Sequence, residues 1–370
     1  MLTRFEVKNF KNFKDNFVLD FTKTSGYNFN PECVKDGIVN KAIIYGPNAI
    51  GKSNLGFAIF DIVSHITDKK KSQELYTDYL NAESDIKLAE FAYYFKFKEN
   101  VVEYRYGKKS HEELIYEELK INNDLVVYLD RSKNENAKIN LKGTETLNKD
   151  LSQSKISVVK YIYNSTVLED NKTNSVFKRF VGFVEKMLYF RSLLIYRYIG
   201  YDMGHLDVSK DLLEKSNLKD FENFLNEAGI SCKLKEIEQN GEKDIAFDFG
   251  KKTLEFFPVA SSGTLALSWL YYWLMRFKAG EACSVIFIDE FDAYYHHELS
   301  KFVVNTLKGI DCQVILTTHN TSIMSNDLLR PDCYFIMSKE NIKPLYDFTD
   351  KELREAHNIE KMYRAGAFDG

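Results

Sequence analysis

Leu2-Thr3-Arg4-Phe5-Glu6-Val7 alternates apolar and polar side chains with a period of two, and Phe17-Val18-Leu19-Asp20-Phe21 repeats the alternation. Both stretches predict short, half-buried strands. Ala42-Ile43-Ile44-Tyr45 is apolar throughout, as a strand covered on both faces requires. The residues from Asn54 to Phe60 continue as a helix to about His65, ahead of the polar stretch Asp68-Lys69-Lys70-Lys71. Four β-rich runs follow, Leu88 to Phe97, Val101 to Tyr106, Leu114 to Ile121 and Leu125 to Leu129. Turn signals such as Lys98-Glu99-Asn100 and Asn122-Asn123-Asp124 separate them, and such short connections favour an antiparallel meander. Asp130 to Ser154 is polar and rich in Asn and Lys, and reads as a loop or flap.

From Ser175 to Tyr198 the apolar positions Phe177, Phe180, Val181, Val184, Met187, Leu188, Leu194 and Ile195 recur at helical spacing. Leu218 to Ala228 predicts another helix, stopped by Gly229. Cys232 to Glu238 and Asp244 to Phe249 read as a hairpin turning at Gln239-Asn240-Gly241. Leu265 to Phe277 predicts a buried helix. Two further apolar strands end in polar groups, Ser284 to Ile288 before Asp289-Glu290, and Gln313 to Thr318 before His319. No repeat recurs at solenoid spacing and no heptads are sustained, so the middle of the chain is expected to be a compact cap.

The 370 residues, 44% hydrophobic and 28% charged, suffice for a large core and two or three structural units. A formal charge of -4 argues against a uniformly basic nucleic-acid coat and leaves room for local patches. The five cysteines are widely spaced without a C-x-x-C pair, so neither a disulfide framework nor a zinc site is indicated, and a reducing cytoplasm fits. The first residues alternate where a secretory signal would be continuously apolar. The run Leu265 to Phe277 contains Arg276 and is short of the ~20 residues that cross a bilayer, so no membrane is expected.

The chemistry is carried by Ile43 to Asn54, IIYGPNAIGKSN. Gly46, Pro47, Asn48, Ala49, Ile50, Gly51, Lys52 and Ser53 spell G-x-x-x-x-G-K-S between a strand and a helix, and Asn54 opens the continuing helix. The glycines let backbone N–H groups point at phosphate oxygens, Lys52 reaches the β- and γ-phosphates, and the Ser53 hydroxyl can ligand Mg²⁺. This makes ATP with Mg²⁺ the expected cofactor. A parallel strand ending in Asp289-Glu290 would place Asp289 at the Mg²⁺ and Glu290 where it can polarise the attacking water. Val259-Ala260-Ser261-Ser262-Gly263-Thr264 opens the buried helix; it reads either as an ordinary cap or as a second anion site, with Ser262 and Gly263 at its centre.

These four elements in this order resemble the ABC-type ATPases of the RecF, SMC and OLD group, and among them the small bacterial ATP-binding proteins grouped with RloA, PtuA and AriA in phage-defence operons. Phe5-Glu6-Val7-Lys8-Asn9-Phe10-Lys11-Asn12-Phe13 is similar to that group's opening strand and "NF-x-x-F" turn. Ser262-Gly263-Thr264 is similar to its signature loop, and Asp289 to His296 to its Walker B and D-loop, with Tyr295 where Leu is usual. Thr317-Thr318-His319-Asn320 is similar to its switch loop, which implies that His319 senses the γ-phosphate. No glutamine stands out as the Q-loop ligand; Gln73 is the nearest candidate.

The fold implied is an α/β, P-loop ABC-type ATPase head with an antiparallel β subdomain and a compact helical insert. Residues 1–67 would form the N-terminal strands and P-loop part of the head, 68–135 the β subdomain, 136–230 the loop and helical insert, and 231–370 the C-terminal lobe. The resemblance further implies ATP hydrolysis with Lys52, Glu290 and His319 as catalytic residues, and a head-to-tail homodimer or higher oligomer in which Ser262 and Gly263 face the partner's nucleotide.

Two functions are in view. One is a sensor or scaffold in antiphage defence that controls a separately encoded effector of nuclease type, since the acids after His319 are scattered and form no Asp-x-Asp cluster. The alternative is a RecF- or SMC-like ATPase acting on DNA in repair or recombination. For it, Lys178, Arg179, Lys186, Arg191 and Arg197 interleave with Phe180, Phe183, Tyr189, Phe190 and Tyr196, either as a nucleic-acid face or as the solvated side of an amphipathic helix.

Overall fold

The computed structural model of the chain describes residues 1–67, 69, 76–192, 197–200, 209, 212–213, 218–239 and 241–368. Strands β1 (Leu2–Lys8) and β2 (Phe17–Asp20) form where the period-two pattern places them, burying Leu2, Phe5, Val7, Phe17 and Leu19 on one face. A short hairpin of β3 (Val34–Lys35) and β4 (Ile38–Val39) leads to β5 (Lys41–Tyr45), all five of whose residues are buried. Helix α1 (Lys52–Ile66) follows the P-loop. The meander is β6 (Ala89–Phe97), β7 (Asn100–Lys108), β8 (Leu114–Ile121), β9 (Asp124–Asp130) and β10 (Asn134–Ile139). After it come α2 (Val158–Ser165), α3 (Lys172–Glu185), β11 (Met187–Arg191) and β12 (Arg197–Gly200). Helix α4 (Leu218–Glu227) precedes the small antiparallel sheet of β13 (Leu234–Gln239), β14 (Glu242–Asp248) and β15 (Thr253–Glu255). The last part runs α5 (Phe256–Val259), α6 (Ser262–Lys278), β16 (Val285–Asp289), α7 (His297–Lys308), β17 (Gln313–Thr318), β18 (Tyr334–Met337), β19 (Ile342–Pro344) and α8 (Ile359–Arg364).

Two seven-stranded sheets organise these elements. One is antiparallel, in the order β10-β9-β8-β7-β6-β1-β2, so the N-terminal strands extend the meander. The other has the order β12-β11-β16-β17-β5-β18-β19, and its five inner strands are parallel. The P-loop strand β5 is flanked by β17 and β18, which accounts for its continuous apolar sequence.

Helix α1 packs against both sheets, and Ser53, Asn54 and Phe57 in its first turns are the residues of it that are not fully buried. Toward the parallel sheet the helix approaches so closely that a Cβ on Gly56 would lie 2.9 Å from Phe287 and 2.9 Å from Tyr189. Toward the meander it presents Asp61, whose carboxylate accepts hydrogen bonds from Lys108 Nζ at 2.7 Å, Tyr106 at 2.8 Å and Tyr79 at 3.1 Å. Tyr93 donates to the carbonyl of Ala58 in the same helix at 2.8 Å. Farther along the meander, the buried Glu117 accepts from Tyr104, Ser157 and the backbone N–H groups of Val158 and Val159, pinning the start of α2. Burial pushes the Glu117 carboxyl above its ordinary value, against the pull of those donors.

Two sequence expectations are corrected. The stretch Asp130 to Ser154 is not only a loop: it contains β10, which buries Ala137 and Ile139 and is bridged through Asn136 to Asp150. Its polarity reflects an edge position, where the outward residues meet water. The helix expected from Ser175 to Tyr198 stops at Glu185, and Met187-Leu188-Tyr189-Phe190 instead forms β11, in register with Val285 to Ile288 of β16. The helical period of Phe177, Phe180, Val181 and Val184 runs into an apolar run that a parallel neighbour claims, so periodicity alone could not see the break. The part of that expectation over 193–196, and Gln73, lie outside the described residues. The hairpin forms, with Gln239 paired to Glu242, and Asn240 of the expected turn lies outside the described residues. All five cysteines are free.

Candidate functional site

The P-loop needs glycine at two places. Gly51, the N-cap of α1, sits at φ 108°, and a Cβ there would lie 2.2 Å from the Asn12 amide nitrogen. Gly46 passes the Met337 carbonyl so closely that a Cβ would be 3.0 Å from its oxygen. Between them Pro47, Asn48 and Ala49 are exposed, Ala49 at φ 62°, and Ile50 is half-buried. Lys52 folds back under the loop, its ammonium donating to the carbonyls of Gly46 at 2.8 Å and Pro47 at 3.0 Å. Burial pulls the Lys52 ammonium below its ordinary value, while Glu290, Asp289 and Asp292 push it up.

Parallel pairing brings the acidic strand end to this loop. Ser53 Oγ donates to Asp289 Oδ2 at 2.6 Å, across 236 residues of sequence. The other carboxylate oxygen, Oδ1, accepts from Thr317 Oγ1 at 2.8 Å. The same Thr317 hydroxyl accepts from the N–H of Glu290 at 2.8 Å, so one side chain on β17 fixes both acids. Glu290 has φ 47°, a left-handed backbone that non-glycine residues seldom adopt and that concentrates at functional sites. Thr318 donates to Asp292 at 2.7 Å and accepts from the N–H of Asn320 at 2.9 Å, which fixes the loop around the exposed His319.

Three further residues make contacts at the site that the sequence does not assign to them. Asn12, from the turn after β1, donates to the Ile50 carbonyl at 3.3 Å and accepts from Asn54 at 2.7 Å, covering the P-loop. Thr317 belongs to the segment likened to the switch loop, in which the sequence gives a role to His319 alone. Arg191 ends β11 in register with Asp289, its guanidinium 4.9 Å from the Phe57 ring centre, and the following Ser192 N–H donates to the Asp289 carbonyl at 3.3 Å. Only the strand that replaces the expected helix puts Arg191 there.

Ser262 and Gly263 lie apart from this cluster. Ser261 is the N-cap of α6, its Oγ accepting from the Thr264 N–H at 3.2 Å, and both Ser261 and Ser262 are exposed. A Cβ on Gly263 would lie 2.9 Å from the Tyr294 carbonyl, so the segment after Asp289-Glu290 rests on this loop. Among the described residues no hydrogen bond joins 261–264 to the P-loop. Within one chain, then, the P-loop and strand-end acids converge while the serine-glycine loop faces outward.

The donors fit a triphosphate with a hard cation. The Ser53 hydroxyl and Asp289 carboxylate are all-oxygen ligands, and among the described residues no group of three or more His, Cys, Asp or Glu could hold a metal unaided. That is the sparse protein set Mg²⁺ uses when phosphates and waters complete its shell.

Residues 41–325 match the family described as "AAA domain, putative AbiEii toxin, Type IV TA system". Solved structures similar to the chain include an Smc head bound to the C-winged-helix domain of ScpA, at 18% identity and a TM-score of 0.46, covering 92% of this chain and 96% of that one. The SMC head domain from Thermotoga maritima is similar at 13% identity and a TM-score of 0.45, covering 93% and 98%. The recombination mediator RecF of the RecFOR pathway is similar at 16% identity and a TM-score of 0.43, also covering 93% and 98%. No curated protein matches the sequence. No helix among the described residues is long and apolar enough to cross a membrane.

Proposed function

The chain belongs to that AAA-domain family, and from this premise we propose that it is an ABC-type ATPase of the RecF and SMC group that binds and hydrolyses ATP, dimerises on it, and uses the dimer to control a separately encoded effector, of nuclease type, in defence against phage. The observation that carries the nucleotide half is the 2.6 Å bond from Ser53 to Asp289, which joins the P-loop to the strand-end acid. In this reading the P-loop N–H groups and Lys52 hold the phosphates, and Ser53 and Asp289 hold Mg²⁺. The metal supplies charge neutralisation between the phosphates when bound. Glu290 orients and deprotonates the attacking water. His319, exposed beside the Thr318–Asp292 bond, reads the γ-phosphate.

The outward Ser262 supports the dimer. A helix start with free N–H groups can complete an anion site in a second subunit, and two such contacts related by a two-fold axis close the assembly. Loss of the γ-phosphate then removes the charge that both heads hold, so the closed state has a lifetime set by hydrolysis. The family description names a toxin system, which supports a defence role. Sizing in ATP tests the clamp: Glu290→Gln should accumulate a closed dimer, and Lys52→Ala should stay a monomer because it cannot hold nucleotide. Identical elution of the two variants would refute it.

A further inference from the structure

The register of β11 fixes the face on which Arg191 stands. Side chains alternate along a strand, and Tyr189, two residues earlier, packs on α1. Its hydroxyl donates to the Ser53 carbonyl at 3.4 Å, and its ring meets those of Phe57 and Phe60. Phe190 points the other way, edge-on to Trp273 of α6. Arg191 therefore shares the α1 face of the sheet with Tyr189, and its guanidinium lies over Phe57, 4.9 Å from the ring centre. Asp289 is on that face too, since it accepts from Ser53 at the start of α1. Parallel pairing sets Arg191 directly beside Asp289, at the strand spacing of about 5 Å.

The helix supplies the matching geometry from its own side. Ser53 and Phe57 are four residues apart in α1, so they stand one above the other on one face, and a helical aromatic side chain leans toward the helix start. A guanidinium resting on the Phe57 ring is thus held within one turn of the Ser53 hydroxyl. Contact with a ring engages the flat face of a guanidinium and leaves its in-plane N–H donors for a second partner. Lys11 also lies against Phe57, at 5.8 Å, but its ammonium donates to the Thr77 carbonyl. Arg191 is half-buried, and the end of α3 at Glu185 separates it from Lys178 and Arg179, with which the sequence groups it.

We infer that Arg191 is a further catalytic residue, whose guanidinium fork takes the γ-phosphate oxygens of a triphosphate held by the P-loop. The inference rests on the ATPase part of the proposed function and needs neither the dimer nor the effector. Around Lys52 stand three acids, Glu290, Asp289 and Asp292, and a triphosphate adds more negative charge to the same strand ends. A planar fork that grips phosphate oxygens in pairs offsets that charge where a single ammonium and a metal ion leave an excess. In hydrolysis, water adds to the γ-phosphorus and passes a proton to Glu290, while the bond to the β,γ-bridging oxygen breaks and its electron pair leaves with ADP. Arg191 exchanges no atom in this step; it stabilises the charge on the γ-phosphoryl oxygens. The competing role, a packing contact that braces α1 through Phe57, gives no distinction between nucleotides with and without a γ-phosphate.

Calorimetric titration of the full chain with Mg²⁺ separates the two roles by comparing ADP with the non-hydrolysable β,γ-imido analogue of ATP. Each protein titrated carries Ser262→Arg, so that closure of two heads adds nothing to the affinity for the analogue. With Arg191 in place the analogue should bind more tightly than ADP. Arg191→Met should weaken the analogue about tenfold or more and leave ADP within about twofold. Arg191→Lys keeps a cation on Phe57 and disturbs folding least; it should give a smaller loss in the same direction, because an ammonium has no fork. Circular dichroism checks that each variant is folded. In the chain without Ser262→Arg, Arg191→Met should lower kcat about a hundredfold. Equal losses for both nucleotides, no loss for either, no preference for the analogue while Arg191 is present, or a kcat that moves no more than the folded fraction would overturn the assignment. Lys52→Ala should lose both nucleotides; if it binds both as before, the ATPase reading falls, so the two failures appear in different variants.

Discussion

Thr317 concentrates the argument at the scale of single residues. Its hydroxyl donates to Asp289 and accepts from the Glu290 N–H, so it orients the proposed metal ligand and holds the proposed base in its unusual backbone at once. Thr317→Val keeps the volume and the β-branch but removes both bonds. Partners of this kind behind a metal ligand are worth about 10–100-fold. We therefore expect kcat for ATP hydrolysis to fall by about that factor, with a raised Mg²⁺ requirement, while the melting transition moves little. An activity loss no larger than the loss of folded protein would make Thr317 merely structural. The sequence disclosed some residues of this site and hid others for one reason. Gly46 to Ser53 are contiguous, and their chemistry is local to a strand, a turn and a helix start. Asn12, Arg191 and Thr317 act through register and packing across the chain, and the local motifs that contain Asn12 and Thr317 do not record those contacts.

Among elements, α1 has most depending on it, because it begins in the phosphate cradle and ends between two sheets. The Asp61–Lys108 pair fastens it to the meander with both side chains 2% exposed, and Tyr106 and Tyr79 complete the carboxylate's bonds. Breaking such a pair from one side strands a charge in low dielectric, which costs about 3–5 kcal/mol. Lys108→Ala should lower unfolding stability by that amount in denaturant titration. Asp61→Asn combined with Lys108→Met should recover most of the loss, since Asn keeps an acceptor for the tyrosines and no lone charge remains. If the double variant is no better than the single, the pair acts through packing and not through charge. The strands and helices around α1 were largely legible, because alternation and the i, i+3, i+4 spacing report a buried face directly. Two failed for the same physical cause, neighbours. Strand β10 gains a polar edge from having a partner on one side only, and β11 gains two covered faces from its place beside β16.

For the whole molecule the decisive question is whether one chain's site is finished by another. The P-loop, Asp289 and Glu290 converge in one protomer, whereas Ser262 stands exposed at the start of α6. If a closed head-to-tail dimer is the active species, each catalytic centre takes its P-loop from one chain and its serine-glycine loop from the other. Lys52→Ala then ruins only the P-loop contribution, and Ser262→Arg only the donated loop. Each protein alone should be inactive at every concentration. Mixed in equal amounts, half the dimers pair one of each kind, and each such dimer holds one wholly intact centre and one doubly damaged centre. The mixture should therefore recover about a quarter of wild-type hydrolysis, rising with total protein until dimerisation saturates. A site complete within one chain gives a different result: Ser262→Arg would remain active alone, and mixing would add nothing. Because the readout needs two inactive proteins to make an active one, neither misfolding nor a generally weakened ATPase can imitate it.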